Sequence, residues 1–188
     1  HDVRIEERPI PKIGQGEILV KVRASGICGT DVMEWYRMKK GPRVLGHEIS
    51  GEVAESKSDK FRVGQRVFVS HHVPCGECKY CQAGNHTACA ALHQGNYDPG
   101  GYSEYVRVPK ENVLFGTYAL PESVSDEEAT MIEPLACVIR GQRLMNIEKN
   151  HTVLVLGSGV SGLLNIRLAK LKGAKVIATD ICDYRLSK

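Results

Sequence analysis

No apolar run in this sequence approaches the ~20 residues a helix needs to span a bilayer, so no membrane partner is expected. There is no basic block either. Lys+Arg number 25 against 22 Asp+Glu, a net +3, and charge therefore does not point to nucleic acid. No secretory leader is visible, and internal repeats and low-complexity segments are absent. The first residue is His1 rather than Met, so a tag remnant or the start of an ordered region is expected there. What remains is an ordinary globular composition, 42% hydrophobic over 188 residues, enough for one or two domains.

The seven cysteines are unevenly placed. Cys75, Cys78, Cys81 and Cys89 form C-x2-C-x2-C-x7-C, while Cys28, Cys137 and Cys182 stand apart. A disulfide scaffold would be smaller and denser in cysteine. The clustering points to a metal and to a reducing compartment, with the cytoplasm expected. Four thiolates at this spacing can surround one tetrahedral Zn²⁺, which leaves no place for substrate and makes the site structural. Four unligated thiols would leave this density unexplained. A nucleic-acid-binding zinc ribbon would call for two separated Cys pairs and a basic surface.

The first part of the chain reads as β-rich. Residues 17–24 alternate, with Ile18, Val20 and Val22 on one face. Gly51–Glu55, Arg66–Val69 and Tyr102–Val108 read as further short strands between Gly and Pro signals, as in a small barrel or sandwich. After Pro121 the pattern changes. Ser125 and Glu128 form a capping box, and the helix that follows is expected to break or kink at Glu133-Pro134.

Residues 152–180 change class again. Thr152–Leu156 is a continuous apolar run, as in a buried parallel strand. Gly157-Ser158-Gly159-Val160-Ser161-Gly162 follows, and then a helix with Val160, Leu163, Leu164, Leu168 and Leu171 on one face. A second strand over 175–179 ends at Asp180. In that context the glycines allow a tight turn and close approach of a pyrophosphate to a helix N-terminus. Asp180 would accept hydrogen bonds from adenosine ribose hydroxyls, and its charge favours NAD over NADP.

Three more residues gain meaning together. Cys28 lies in Gly-Ile-Cys-Gly-Thr-Asp, His47 in Gly46-His47-Glu48-x-x-Gly51-x-Val53, and Glu133 precedes Pro134. Singly each has a bland explanation, as a small buried hydrophobe, a structural imidazole or a surface carboxylate. One sulfur, one nitrogen and one or two carboxylates make an open zinc site where the metal acts as a Lewis acid.

These motifs, in this order, resemble the zinc-dependent medium-chain dehydrogenase (alcohol dehydrogenase) family. The G-H-E-x-x-G-x-V signature is met in full, and Glu133-Pro134-Leu135 is similar to the sorbitol and threonine dehydrogenase branches. The resemblance implies a mixed α/β chain. A β-rich GroES-like catalytic barrel over 1–150 would be followed by the first βαβ unit of a Rossmann domain over 151–188. It implies two Zn²⁺, one catalytic and one structural, and NAD.

Cys28, His47 and Glu48 would hold the catalytic zinc, with Glu48 bound or close behind it and Glu133 bound directly or through water. Asp31 would orient His47, and Thr30 would take the substrate proton. Gly157, Gly159, Val160, Gly162, Asp180 and Arg185 would face the cofactor. An alcohol or polyol substrate and a homo-oligomer, dimer or tetramer, are implied. A threonine-type dehydrogenase and a zinc-stabilised binding module without catalysis are the alternatives.

Two departures accompany this. Many relatives carry His five residues after the zinc cysteine, where this chain has Met33, which shuttles no protons. The family also runs to roughly twice this length with a six-stranded Rossmann sheet, so a fragment, or a sequence of the ordered residues alone, is expected. His71, His72, His86 and His93 are read as imidazoles outside both zinc shells, and Trp35, Tyr36 and Tyr97 as cleft-lining or ordinary aromatics.

Overall fold

The structure is a computed structural model that describes residues 3–39, 41–94 and 96–188. The chain divides into two units, His1–Met131 and Ile132–Lys188. The first holds β1 (Ile18–Ser25), α1 (Gly29–Val32), α2 (Glu34–Met38), β2 (Glu48–Ser56), β3 (Arg66–Ser70) and α3 (Lys79–Gln82). It continues with β4 (Tyr105–Val108), α4 (Lys110–Phe115), β5 (Thr117–Ala119) and α5 (Asp126–Ala129). The second holds α6 (Ile132–Leu144), β6 (Thr152–Leu156), α7 (Val160–Leu171), β7 (Lys175–Thr179) and α8 (Asp183–Leu186). Among the described residues no helix is long and apolar enough to cross a membrane.

In the first unit five antiparallel strands lie in the order β4-β1-β2-β3-β5. The alternation expected in β1 is present: Ile18 and Val20 are fully buried and Val22 packs partly against them. They join Ile49 and Val53 of β2, Val67 and Val69 of β3, and Val106 and Val108 of β4 in one core. Burying such β-branched side chains supplies most of the driving force, at about 25 cal/mol per Å² of apolar surface. Two register shifts in β1, at Leu19/Val20 and at Val22/Ala24, bend the strand. β2 begins earlier than the sequence suggests, at Glu48, so the second half of the G-H-E motif lies inside the sheet.

Two glycines of that motif have clear structural reasons. Gly46 has φ +85° and closes the turn into β2. A Cβ on Gly51 would run into the Lys21 carbonyl of β1 and into Val20 Cγ1.

The capping box forms as expected: Ser125 N–H donates to Glu128 Oε2 at 2.9 Å, and Glu128 N–H to Ser125 Oγ at 3.1 Å. The expected break at Glu133-Pro134 does not occur there. Helix α5 stops at Ala129 and α6 starts at Ile132, so the boundary falls at Thr130 and Met131. Pro134 sits in the first turn of α6, where a missing N–H costs no helical bond.

The second unit has β6 and β7 parallel, paired from Thr152↔Lys175 to Leu156↔Thr179, with α7 as the crossover. The sequence-based division at 150/151 differs from the observed one because α6 packs with α7. Buried Gln142 of α6 donates from Nε2 to the Asn165 carbonyl at 2.8 Å.

Within this chain Val155 is the buried residue of β6 and Leu156 is 76% exposed, as expected of two parallel strands that cannot cover both faces of a sheet. Val160 and Leu171 of α7 are exposed as well. The fully buried position of α7 is Ala169, which packs with Ile147 and Ala174.

Candidate metal centres and dinucleotide loop

The donor atoms of Cys28, His47 and Glu48 all lie within 4.8 Å of one another. Cys28 is the residue before α1, His47 ends the turn at Gly46, and Glu48 opens β2. The Gly26 N–H donates to the Glu48 carbonyl at 2.8 Å, tying the strand end to the loop that carries Cys28. A Cβ on Gly26 would strike the Glu48 carboxylate, which is buried.

Asp31 stands behind this cluster with 3% of its side chain exposed, and its Oδ1 lies 3.5 Å from His47 Nδ1. With Nδ1 facing Asp31, Nε2 of His47 is the ring nitrogen available to a metal. The same carboxylate accepts from Arg37 Nη2 at 2.8 Å, from the Tyr102 hydroxyl at 2.9 Å and from the Cys28 N–H at 3.1 Å. Burial, and then the bond to Asp31, raise the Tyr102 hydroxyl well above the ordinary phenol range, so it stays protonated as a donor.

His71 stacks beside His47 with ring centroids 4.8 Å apart, and His72 and His93 continue the row outward at 3.8 Å and 4.4 Å. Burial, and then the neighbouring imidazoles, depress the pKa of His71 to about 3, so it is neutral at physiological pH.

The four-cysteine lobe gathers Cys75, Cys78, Cys81 and Cys89, whose sulfurs also lie within 4.8 Å of one another. Cys78–Cys81, Cys75–Cys89 and Cys75–Cys81 are separated by 3.5, 3.6 and 3.9 Å. Tetrahedral zinc with Zn–S near ~2.3 Å requires S···S near ~3.8 Å, so the set fits that ion. Backbone N–H groups already point at the sulfurs, from Cys75 to Cys89 and from Cys78 to Cys75, both at 3.4 Å. The first of these lowers the pKa of Cys89 to about 6, whereas burial raises that of Cys81 to about 12.

The glycine loop belongs to the second unit. Gly157 takes φ +96°, and a Cβ on Gly162 would collide with the Gly157 carbonyl, so loop and helix meet without side chains between them. Gly159 is the residue before α7 and Val160 its first residue. Asp180 holds the loop. Its Oδ2 accepts from the Ser158 N–H at 2.7 Å and its Oδ1 from the Cys182 N–H at 2.9 Å. The Ser158 bond above all keeps this carboxyl below its usual pKa. Arg185 lies 3.9 Å away.

Residues 14–117 match the family described as the alcohol dehydrogenase GroES-like domain. The chain belongs to the zinc-dependent medium-chain dehydrogenase family. It is 36% identical to an L-threonine 3-dehydrogenase of Rhizobium etli, over 97% of this chain and 54% of that protein. To the sorbitol dehydrogenase of Bacillus subtilis it is 34% identical, over 98% of this chain and 54% of that protein. The crystal structure of a short chain alcohol dehydrogenase from E. coli CFT073, complexed with NADH, superposes with TM-score 0.83 at 36% identity. That likeness covers 99% of this chain and 56% of the other. The chain thus spans about half the length of the curated relatives it matches (54%).

Of the residues singled out from the family motifs, the structure brings Cys28, His47 and Glu48 together, and likewise the four cysteines. Glu133 lies in the other unit, in the first turn of α6, where the Cys137 thiol is 3.6 Å from its Oε1. Thr30 lies in α1 beside Asp31. Sequence reasoning did not find Arg37 or Tyr102, both of which hold Asp31. Arg37 is six residues from Asp31 and Tyr102 seventy-one, and neither spacing belongs to a motif.

Proposed function

We propose that this chain carries the metal-binding and dinucleotide-binding elements of a zinc-dependent oxidoreductase that transfers a hydride between a secondary alcohol or polyol and NAD. The observation that carries the reading is the convergence of Cys28, His47 and Glu48 with a buried carboxylate behind the histidine. One sulfur, one nitrogen and one oxygen fit a zinc ion that keeps a position open for substrate, and the Asp31–His47 pairing is the usual support for such a ligand.

In this reading Cys28, His47 and Glu48 hold the zinc. Zinc there supplies Lewis-acid polarisation of the substrate oxygen. Asp31 holds the imidazole in the tautomer that presents Nε2. Thr30 accepts the substrate hydroxyl proton on its Oγ1 and passes its own proton outward. Met33 carries no proton, so that path does not run through position 33. The four-cysteine lobe binds a second zinc that closes residues 75–89 into one structural unit.

Gly157, Gly159 and Gly162 admit the pyrophosphate to the N-terminus of α7, where Val160 begins the helix. Asp180 and Arg185 flank the adenosine ribose, and the carboxylate disfavours a 2′-phosphate, which selects NAD. The curated relatives named as sorbitol and L-threonine dehydrogenases support a polyol or an amino-acid alcohol as the substrate class. Ligating thiolates need a reducing setting, for which the cytoplasm serves. A dimer or tetramer is the assembly that the family resemblance implies.

Metal content tests the reading. Protein purified without chelators should hold about two zinc ions per chain. Cys28→Ser should remove one of them and Cys78→Ser the other. A single zinc, lost with Cys78→Ser and retained in Cys28→Ser, would leave only a zinc-stabilised binding module. A panel of polyols and L-threonine with NAD then separates the two substrate classes.

A further inference from the structure

Arg37 projects from α2 back onto α1 and makes three bonds to two consecutive residues. Its Nε donates to the Thr30 carbonyl at 2.6 Å, and its Nη2 donates to Thr30 Oγ1 at 3.3 Å and to Asp31 Oδ1 at 2.8 Å. Its side chain is 21% exposed and that of Asp31 3%. A guanidinium has five N–H donors and no acceptor, and it does not lose its proton in proteins. Thr30 Oγ1 therefore accepts from Arg37, and the single hydroxyl proton of Thr30 is directed away from it. The oxygen of Asp31 that Arg37 engages is also the one that faces His47 Nδ1 at 3.5 Å. One side chain thus fixes both the rotor of Thr30 and the carboxylate oxygen that orients His47.

We propose that Arg37 is a positioning residue of the Cys28–His47–Glu48 metal site, holding Asp31 for His47. The inference rests on reading those three residues as metal ligands. Its counterpart, a plain staple between α1 and α2, would need no effect on the metal. The fork geometry matters: a lysine could reach Asp31 but could not also donate to the Thr30 carbonyl through an Nε–H.

The test uses the full chain with zinc kept in the four-cysteine lobe and Co²⁺ loaded into the other site. The visible Co²⁺ spectrum and the Co²⁺ affinity, from competition with a chelator, are compared for the wild type, Arg37→Gln, Arg37→Lys and Cys28→Ser. A wild-type spectrum that disappears in Cys28→Ser establishes the site. Arg37→Gln should then bind Co²⁺ about 10- to 100-fold more weakly, the usual cost of losing an outer partner of a ligand, with a shifted visible band. Arg37→Lys should fall between the two in affinity, with a shifted band of its own.

If Arg37→Gln lowers the melting temperature while affinity and spectrum stay at wild-type values, Arg37 is only a staple and the inference is wrong. If Arg37→Gln does not fold, wild-type affinity and spectrum in Arg37→Lys overturn the inference equally. A wild-type chain with no Cys28-dependent spectrum would instead refute the metal reading itself, and this inference with it.

Discussion

Asp31→Asn should destabilise the first unit by about 3 kcal/mol. The side chain is 3% exposed and accepts from Arg37 at 2.8 Å, Tyr102 at 2.9 Å and the Cys28 N–H at 3.1 Å. An amide keeps one acceptor oxygen and replaces the other with a donor. If the remaining oxygen stays on Arg37, the Tyr102 hydroxyl and the Cys28 N–H both face an NH₂ group. Two bonds to a charged acceptor, at about 1.5–3 kcal/mol each, are then lost or weakened, and Arg37 loses its anionic partner. Breaking a buried pair by altering one partner costs about 3–5 kcal/mol. Arg37 keeps 21% of its side chain in water, which places the loss at the lower end. The assay is urea unfolding followed by fluorescence. The chain has one tryptophan, Trp35 in α2, so the signal reports on the first unit. The midpoint should fall with the slope unchanged. A loss below about 1 kcal/mol would refute the view that Asp31 is the hub of this network.

Two further outcomes follow from the geometry. Gly51→Ala places a methyl group against the Lys21 carbonyl and Val20 Cγ1, so β1 and β2 must part locally. Overpacking of this kind costs about 1–3 kcal/mol, and an unchanged thermal midpoint would contradict the observed pairing. Asp180 has a folded-state pKa below its unfolded value of 3.8, chiefly through the Ser158 N–H. Its contribution to stability is therefore fully present above pH 3.8 and is lost as pH falls through the lower, folded value. Hydrogen-exchange protection of the Ser158 and Cys182 amides should drop over that range in the wild type and be insensitive to it in Asp180→Asn. Equal pH dependence in both proteins would show that the loop is held by something else.

The sequence by itself determined what depends on residues close in the chain. The four-cysteine lobe, the strand–glycine loop–helix–strand unit, the Ser125–Glu128 cap and the alternation of β1 were legible because turn, periodicity and ligand spacing act over a few residues. The proximity of Cys28 to the His47-Glu48 pair was legible only through the family signature, since nineteen residues of chain say nothing about distance. Tertiary structure alone decided the rest. Arg37 and Tyr102 converge on Asp31 because a turn of helix and a loop after Gly101 happen to meet there, and no local pattern encodes that meeting. The exposed apolar side chains of β6 and α7 follow the same rule, since a pattern states what a segment can bury and only its neighbours decide what it does. The start of α6 moved for the same reason. Pro134 forbids one hydrogen bond, and the first turn of a helix is the place where that bond is not needed.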